Sequence, residues 1–193
     1  MADYAHLTVG VLALQGAVSE HCRQIEQLGA TAVTVKNPQD LTVCHGLILP
    51  GGESTAIGKL MRKNGLFDAI RAFAEEGKGL FGTCAGMILL AKQLADDPTV
   101  HLGLMDIQVQ RNAFGRQVDS FQTDLTVKGL SQPFPAVFIR APHIIDFDRN
   151  KVESLAEFNG HTVLAKQDNL LACAFHPELT PNLDILKIFL DML

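Results

Sequence analysis

Two periods of hydrophobic and polar residues alternate along the chain, and the changes between them lay out its elements. Leu7 to Leu14 is an almost continuous apolar run, the pattern of a strand covered on both faces, and Gln15-Gly16 stops it. Val18, Cys22, Ile25 and Leu28 then fall at helical spacing, with Gly29 suited to end that helix. A short β-branched run at 31–36 and the apolar run 46–49 predict the second and third strands. Helical segments at 56–63 and 66–75 are separated by Asn64-Gly65. A buried strand ending at 78–81 leads into the helix formers of 87–93. After the turn at Asp96-Asp97-Pro98 the period shortens, and 105–110, 117–127, 136–140, 161–167 and 170–175 read as strands. Leu183, Leu186, Phe189 and Leu190 share one face of a closing helix over 183–193.

Strand, helix, strand is the repeat of a parallel sheet with right-handed crossovers. The pattern therefore predicts an α/β fold, mostly parallel in its first half, with partly antiparallel additions and a small hairpin layer in the second. With 193 residues and no linker, repeat or low-complexity stretch, the expectation is one domain spanning 1–193. Composition narrows the partners more than the fold. At 47% hydrophobic and 19% charged the chain is globular, and a net charge of −5 offers no basic footprint for nucleic acid or anionic membrane. The start carries no basic, apolar leader and no segment approaches a membrane span, which predicts a cytoplasmic protein. Cys22, Cys44, Cys84 and Cys173 are scattered, without the paired spacing of a zinc site or redox switch, so reduced thiols and no metal are expected.

One of the four thiols stands in a special frame. Gly82-Thr83-Cys84-Ala85-Gly86 joins a strand to a helix as Gly-x-Cys-x-Gly, the pattern of a nucleophile elbow, whose glycines leave room for a turn that exposes the central side chain. A helix N-terminus facing the sulfur favours thiolate over thiol, so Cys84 should be the most reactive of the four. The bland alternative is a buried structural cysteine. A second informative loop, Pro50-Gly51-Gly52-Glu53-Ser54, follows the third strand. Its glycines let backbone amides approach a ligand at the carboxyl end of the sheet, and Ser54 can cap the helix beginning near Thr55. Read plainly it is a capped turn, and it lacks the Gly-Lys-Ser/Thr ending of a phosphate loop.

A cysteine nucleophile needs a base. His6, His21, His45, His101 and His161 lie at the start, on the first helix, in turns or at a strand start, and read as surface histidines; His143, in Arg140-Ala141-Pro142-His143, is harder to dismiss. His176 is the strongest candidate, because an apolar strand ends there in Phe175-His176-Pro177-Glu178. In an extended segment Glu178 stands on the same side as His176, and Pro177 stiffens the pair. A carboxylate so placed sets the imidazole tautomer and steadies its charged form. A solvated salt bridge at a strand end is the alternative.

Cys84 in its glycine frame and the distant His-Pro-Glu together resemble class I glutamine amidotransferases, which carry a Cys-His-Glu glutaminase. The chain resembles more narrowly the glutaminase subunits of the ribose 5-phosphate-dependent pyridoxal 5′-phosphate synthases. This rests on Leu12-Ala13-Leu14-Gln15-Gly16-Ala17, Leu49-Pro50-Gly51-Gly52-Glu53-Ser54-Thr55, Arg111-Asn112-Ala113-Phe114-Gly115-Arg116-Gln117, Phe138-Ile139-Arg140-Ala141-Pro142 and Phe175-His176-Pro177-Glu178-Leu179-Thr180. The resemblance implies a flavodoxin-like open three-layer sheet, with no cofactor. It also implies hydrolysis of L-glutamine by Cys84, His176 and Glu178, the oxyanion being met by the amides of Gly52 and Ala85. Gly52, Glu53, Ser54, Arg111, Ile139 and Arg140 would hold glutamine, with Arg111 and Arg140 both open as partners of its carboxylate. The ammonia would pass to a separate synthase subunit that makes pyridoxal 5′-phosphate from ribose 5-phosphate and glyceraldehyde 3-phosphate. Rotation of the Gly51-Gly52 peptide on docking would gate the oxyanion hole. A glutaminase for another synthase, such as the histidine-pathway cyclase, a superfamily hydrolase or chaperone lacking His-Pro-Glu, and a binding module with an inert cysteine are the competing readings.

Overall fold

The computed structural model describes residues 2–114 and 119–193. Its centre is a parallel array of β1 (Thr8–Leu12), β2 (Thr31–Val35), β3 (Gly46–Leu49), β4 (Gly79–Thr83) and β12 (Leu170–Cys173), side by side in the order β2-β1-β3-β4-β12. β1, β3, β4 and β12 are buried along nearly their whole length, as expected of strands covered by helices on both faces. The helices are α1 (Val18–Gln27), α2 (Ser54–Lys63), α3 (Leu66–Glu75), α4 (Ala85–Leu90) and α5 (Asp184–Leu190). On the far side of β12 the sheet turns antiparallel through β11 (His161–Gln167), β9 (His143–Phe147) and β6 (Met105–Gln110). It ends in β5 (Ala91–Leu94), parallel to β6, while β10 (Glu153–Phe158) pairs β11. β7 (Ser120–Leu125) and β8 (Phe134–Ile139) form a separate antiparallel hairpin, the small extra layer that the alternating pattern predicts. The mixed sheet, parallel at its centre and antiparallel beyond it, has the predicted character.

Four local expectations are corrected. The helix expected over 87–93 runs from Ala85 only to Leu90, and Ala91 turns extended to begin β5. Backbone amides of Leu102 and Leu104 donate to the carbonyls of Leu89 and Leu90, which an α-helix would have bonded to residues 93 and 94. Lys92 and Gln93 are good helix formers, but this long-range capture outweighs a propensity worth only tenths of a kcal/mol per residue. β10 and β9 were not predicted. Ser154-Leu155-Ala156-Glu157 has no strand composition, and it becomes a strand because Asn159 (φ 50°) and Gly160 (φ 78°) make a left-handed two-residue turn that folds it onto β11. The Asn-Gly pair was the available signal. Glu53, not Ser54, caps α2: its carboxylate accepts from the amides of Thr55 (3.1 Å) and Ala56 (2.8 Å), and Ser54 is buried as the first helical residue. Finally, His176 to Glu178 is not extended; Pro177–Leu179 forms a 3-10 turn. Of the strand expected over 117–127, residues 117 and 118 lie outside the described residues.

Candidate active site

β3, β4 and β12 are neighbours in the sheet, so the loops at their carboxyl ends meet. The first carries Gly51 and Gly52, the second Cys84, and the third His176. Cys84 has φ 53° and ψ −107°, a conformation a non-glycine residue rarely holds, and neighbours fix it there. Its amide donates to the Cys173 carbonyl at 2.8 Å, and its carbonyl accepts from Met87. A side chain at Gly86 would run into the carbonyl of Leu49, so the second glycine of the Gly-x-Cys-x-Gly frame lets α4 close against β3. The thiol, on a residue only 8% exposed, points toward the Ile139 carbonyl at 3.8 Å. The hairpin that presents this carbonyl is fastened to the same place, because the His176 amide donates to Val137 at 2.8 Å.

Imidazole Nδ1 of His176 lies 2.6 Å from Glu178 Oε1, which leaves Nε2 for the thiol side. Burial alone would lower the His176 pKa, but its contacts with Cys84 and with the Glu178 carboxylate push it up to about 10. Burial would likewise raise Glu178, and the bond from His176, with His21 nearby, takes it below the usual carboxylate value. Burial raises the thiols of Cys22 and Cys44 and puts Cys173 well above the ordinary range. A base that holds a proton beside a thiol, backed by a buried carboxylate, is suited to nucleophilic attack on a carbonyl followed by protonation of the leaving group.

A cleft of about 580 Å³ opens over the sulfur. Gly52, Glu53, Ser54, Cys84, Ala85, Arg111, Ile139, Arg140 and His176 all line it, so every predicted site residue except Glu178 faces one space, and Glu178 stands behind His176. Gly52, at φ 142°, takes a backbone shape that favours glycine, and Gln15 Oε1 accepts from the next amide, Glu53, at 2.8 Å. Both arginines reach the cleft with acidic companions: Arg111 pairs with Asp97, and the largely exposed Arg140 lies 3.7 Å from Asp119. Both line the cleft, and the geometry does not single out one of them as the partner of a carboxylate.

Four residues lie otherwise than the sequence reading placed them or make contacts that it did not name. Gly51 is wedged between Cys84 and His176: a Cβ there would sit 2.8 Å from His176 Cε1 and 3.5 Å from Cys84 Cβ. His21, expected at the surface, is 2% exposed, and its Nε2 lies 3.6 Å from Glu178 Oε2. His101 is also buried, against Gly58. His143 does not line the cleft; its ring stacks on His161 at 3.8 Å, and burial together with His161 lowers its pKa to about 4. The helical spacing of α1 could have flagged His21, which falls beside Val18, Cys22 and Ile25 on the apolar stripe.

Comparison with known proteins gives the family. The SNO glutamine amidotransferase family profile matches residues 11–193. The pyridoxal 5′-phosphate synthase subunit PdxT of Pasteurella multocida is 68% identical over 192 residues, covering all of both chains. The PdxT subunit of Niallia circulans is 57% identical over 187 residues, 97% of this chain and 98% of its own. A solved structure described as a glutamine amidotransferase superposes with a TM-score of 0.90 at 47% identity, over 95% of this chain and 97% of that one.

Proposed function

The chain belongs to the SNO glutamine amidotransferase family, and from that premise we propose that it is the glutaminase subunit of a pyridoxal 5′-phosphate synthase. The whole chain acts as one glutaminase domain. It hydrolyses L-glutamine to L-glutamate and hands the ammonia to a synthase subunit, which makes pyridoxal 5′-phosphate from ribose 5-phosphate and glyceraldehyde 3-phosphate. The observation that carries this reading is the convergence of Cys84 and His176 on one cleft, with Glu178 bonded to the far side of the imidazole at 2.6 Å.

Cys84 Sγ, its proton already held by His176, attacks the side-chain amide carbon of glutamine. The carbonyl electron pair moves to oxygen, and the amides of Gly52 and Ala85 receive that oxyanion; losing one such donor typically costs about 3–4 kcal/mol in the barrier. Collapse breaks the C–N bond, His176 protonates the departing nitrogen, and ammonia leaves a thioester on Cys84. Water then attacks the thioester, giving a proton to His176, and glutamate departs as the thiol is restored. Glu178 holds His176 in the tautomer that turns Nε2 to the sulfur. Gly52, Glu53, Ser54 and Ile139 line the bound glutamine; the Glu53 charge meets its α-ammonium, and Arg111 and Arg140 face its α-carboxylate. No helix among the described residues is long and apolar enough to cross a membrane. We place the subunit in the cytoplasm, where the reduced thiol this chemistry needs persists.

The test is covalent labelling with a diazo-ketone analogue of glutamine, followed by peptide mapping. Modification confined to Cys84, and blocked by glutamine, is expected. A label on Cys22 or Cys44 with Cys84 untouched would overturn the assignment.

A further inference from the structure

Behind the cleft, the carboxylate of Glu178 is satisfied on one oxygen only. Oε1 takes the His176 bond at 2.6 Å. Oε2 is fully buried and has no hydrogen-bond partner among the described residues, and the same is true of the atom facing it, His21 Nε2, 3.6 Å away. Both side chains are almost wholly removed from solvent, at 3% and 0% exposure. The gap is too narrow to hold a water between the two atoms, and a shift of about 0.6 Å would bring them to ordinary N–H···O distance. Two orphaned polar atoms buried and facing each other are costly apart and stabilising together.

We propose that His21 is a positioning residue of the glutaminase, its Nε2–H closing the free oxygen of Glu178 so that the carboxylate stays ionised and aimed at His176. This rests on the glutaminase reading above. The helix itself is fixed for the task. Gln24, one turn along α1 on the same face, donates to the carbonyls of Pro177 (3.0 Å) and Thr180 (2.8 Å) and so fastens α1 to the turn that bears Glu178. Burial holds the His21 pKa down, so a neutral ring with a single N–H supplies the donor. The charges acting on it are Glu178 and His176 from the 3-10 turn and Glu20 from its own helix; those acting on Glu178 are His176 and His21. Without the His21 donor, the buried carboxylate is protonated more easily. Once protonated, it no longer holds the imidazolium, and turnover fails at a higher pH than before.

The experiment measures glutamate release against pH by the chain assembled with its synthase subunit, for wild type, His21→Leu and His21→Gln. A glutamine amide can supply a donor close to the position of Nε2. His21→Leu is expected to lower kcat about 10- to 100-fold, the cost of one hydrogen bond to a charged group. KM should stay within twofold, the acid limb of kcat/KM should move upward, and His21→Gln should recover most of the loss. A kcat within twofold of wild type in His21→Leu overturns the proposal, as does an equal loss in both variants with the acid limb unmoved, which marks His21 as packing alone. Should His21→Leu fail to fold, nitrogen-15 imidazole spectra of the wild-type chain decide: an Nε2–H tautomer at neutral pH is expected, and an Nδ1–H tautomer overturns it. Absence of glutaminase activity in the wild-type assembly would instead refute the underlying function.

Discussion

Gly51→Ala isolates the geometry of the proposed catalytic pair, Cys84 and His176, from its chemistry, because it alters neither the thiol nor the imidazole. The added Cβ would lie 2.8 Å from His176 Cε1, whereas ordinary contact begins at 3.4 Å. The imidazole, or the loop that carries Gly51, must therefore yield by about 0.6 Å. Gly51 is not in the left-handed region, so alanine is not strained there and the effect comes from the clash alone. The base is held on its other side by the 2.6 Å bond to Glu178 and cannot move without lengthening it. A misplacement of about 1 Å can cost 10²-fold in rate, so a loss of roughly 10- to 100-fold in kcat is expected, about 1.4–2.7 kcal/mol in the barrier. Overpacking adds a stability loss of about 1–3 kcal/mol. Steady-state glutamate release by the chain with its synthase subunit gives the first quantity, and urea unfolding the second. Gly29→Ala is the control: it introduces a positive-φ alanine with nothing within 4 Å, and should lose stability without losing kcat. A Gly51→Ala enzyme with wild-type kcat would refute the claim that this glycine sets the spacing of nucleophile and base.

Cys84→Ala and His176→Ala should each abolish glutaminase turnover with circular dichroism unchanged, since nucleophile and base act as one unit, and wild-type turnover in either would sink the triad. Glu178→Gln should be milder, because the amide oxygen still accepts from Nδ1 while the charge that steadies imidazolium is lost. His176 is raised to about 10 when folded, against about 6.5 unfolded, so its stabilising contribution is complete below pH 6.5 and declines as pH rises toward 10. Urea unfolding at pH 6 and pH 9.5 should show this decline in wild type and a smaller one in Cys84→Ala, which removes one of the groups that hold the proton; an equal decline in both would contradict it. Glutamate release by the isolated chain at saturating glutamine should be slow and should rise when the synthase subunit is added, as expected if docking selects the competent orientation of the Gly51-Gly52 peptide. Full activity of the chain alone would end that gating idea.

Cys84, His176 and Glu178, the proposed nucleophile, base and carboxylate, could be picked out of the sequence because each is announced by its immediate neighbours. Gly82 and Gly86 permit the turn at Cys84, and Pro177 keeps His176 out of the helical region and sets Glu178 beside it, although through a 3-10 turn instead of an extended segment. The central strands were legible for a similar reason: being covered on both faces, they must be apolar throughout. Other features depend on partners distant in the chain, and no local window contains them. α4 stops at Leu90 because amides from residues 102 and 104 take its carbonyls, and Ser154 to Glu157 becomes a strand only when β11 is there to pair with it. His21 looked like a surface histidine on an amphipathic helix. Its burial against Glu178 follows from α1 packing on a turn more than 150 residues away, fastened by Gln24. Gly51 meets His176 because β3, β4 and β12 lie side by side, an order that only the assembled sheet decides. Short-range sterics and capping act within a few residues and leave their mark on composition, whereas burial and hydrogen-bond capture belong to pairs of segments and exist only once the chain has brought them together.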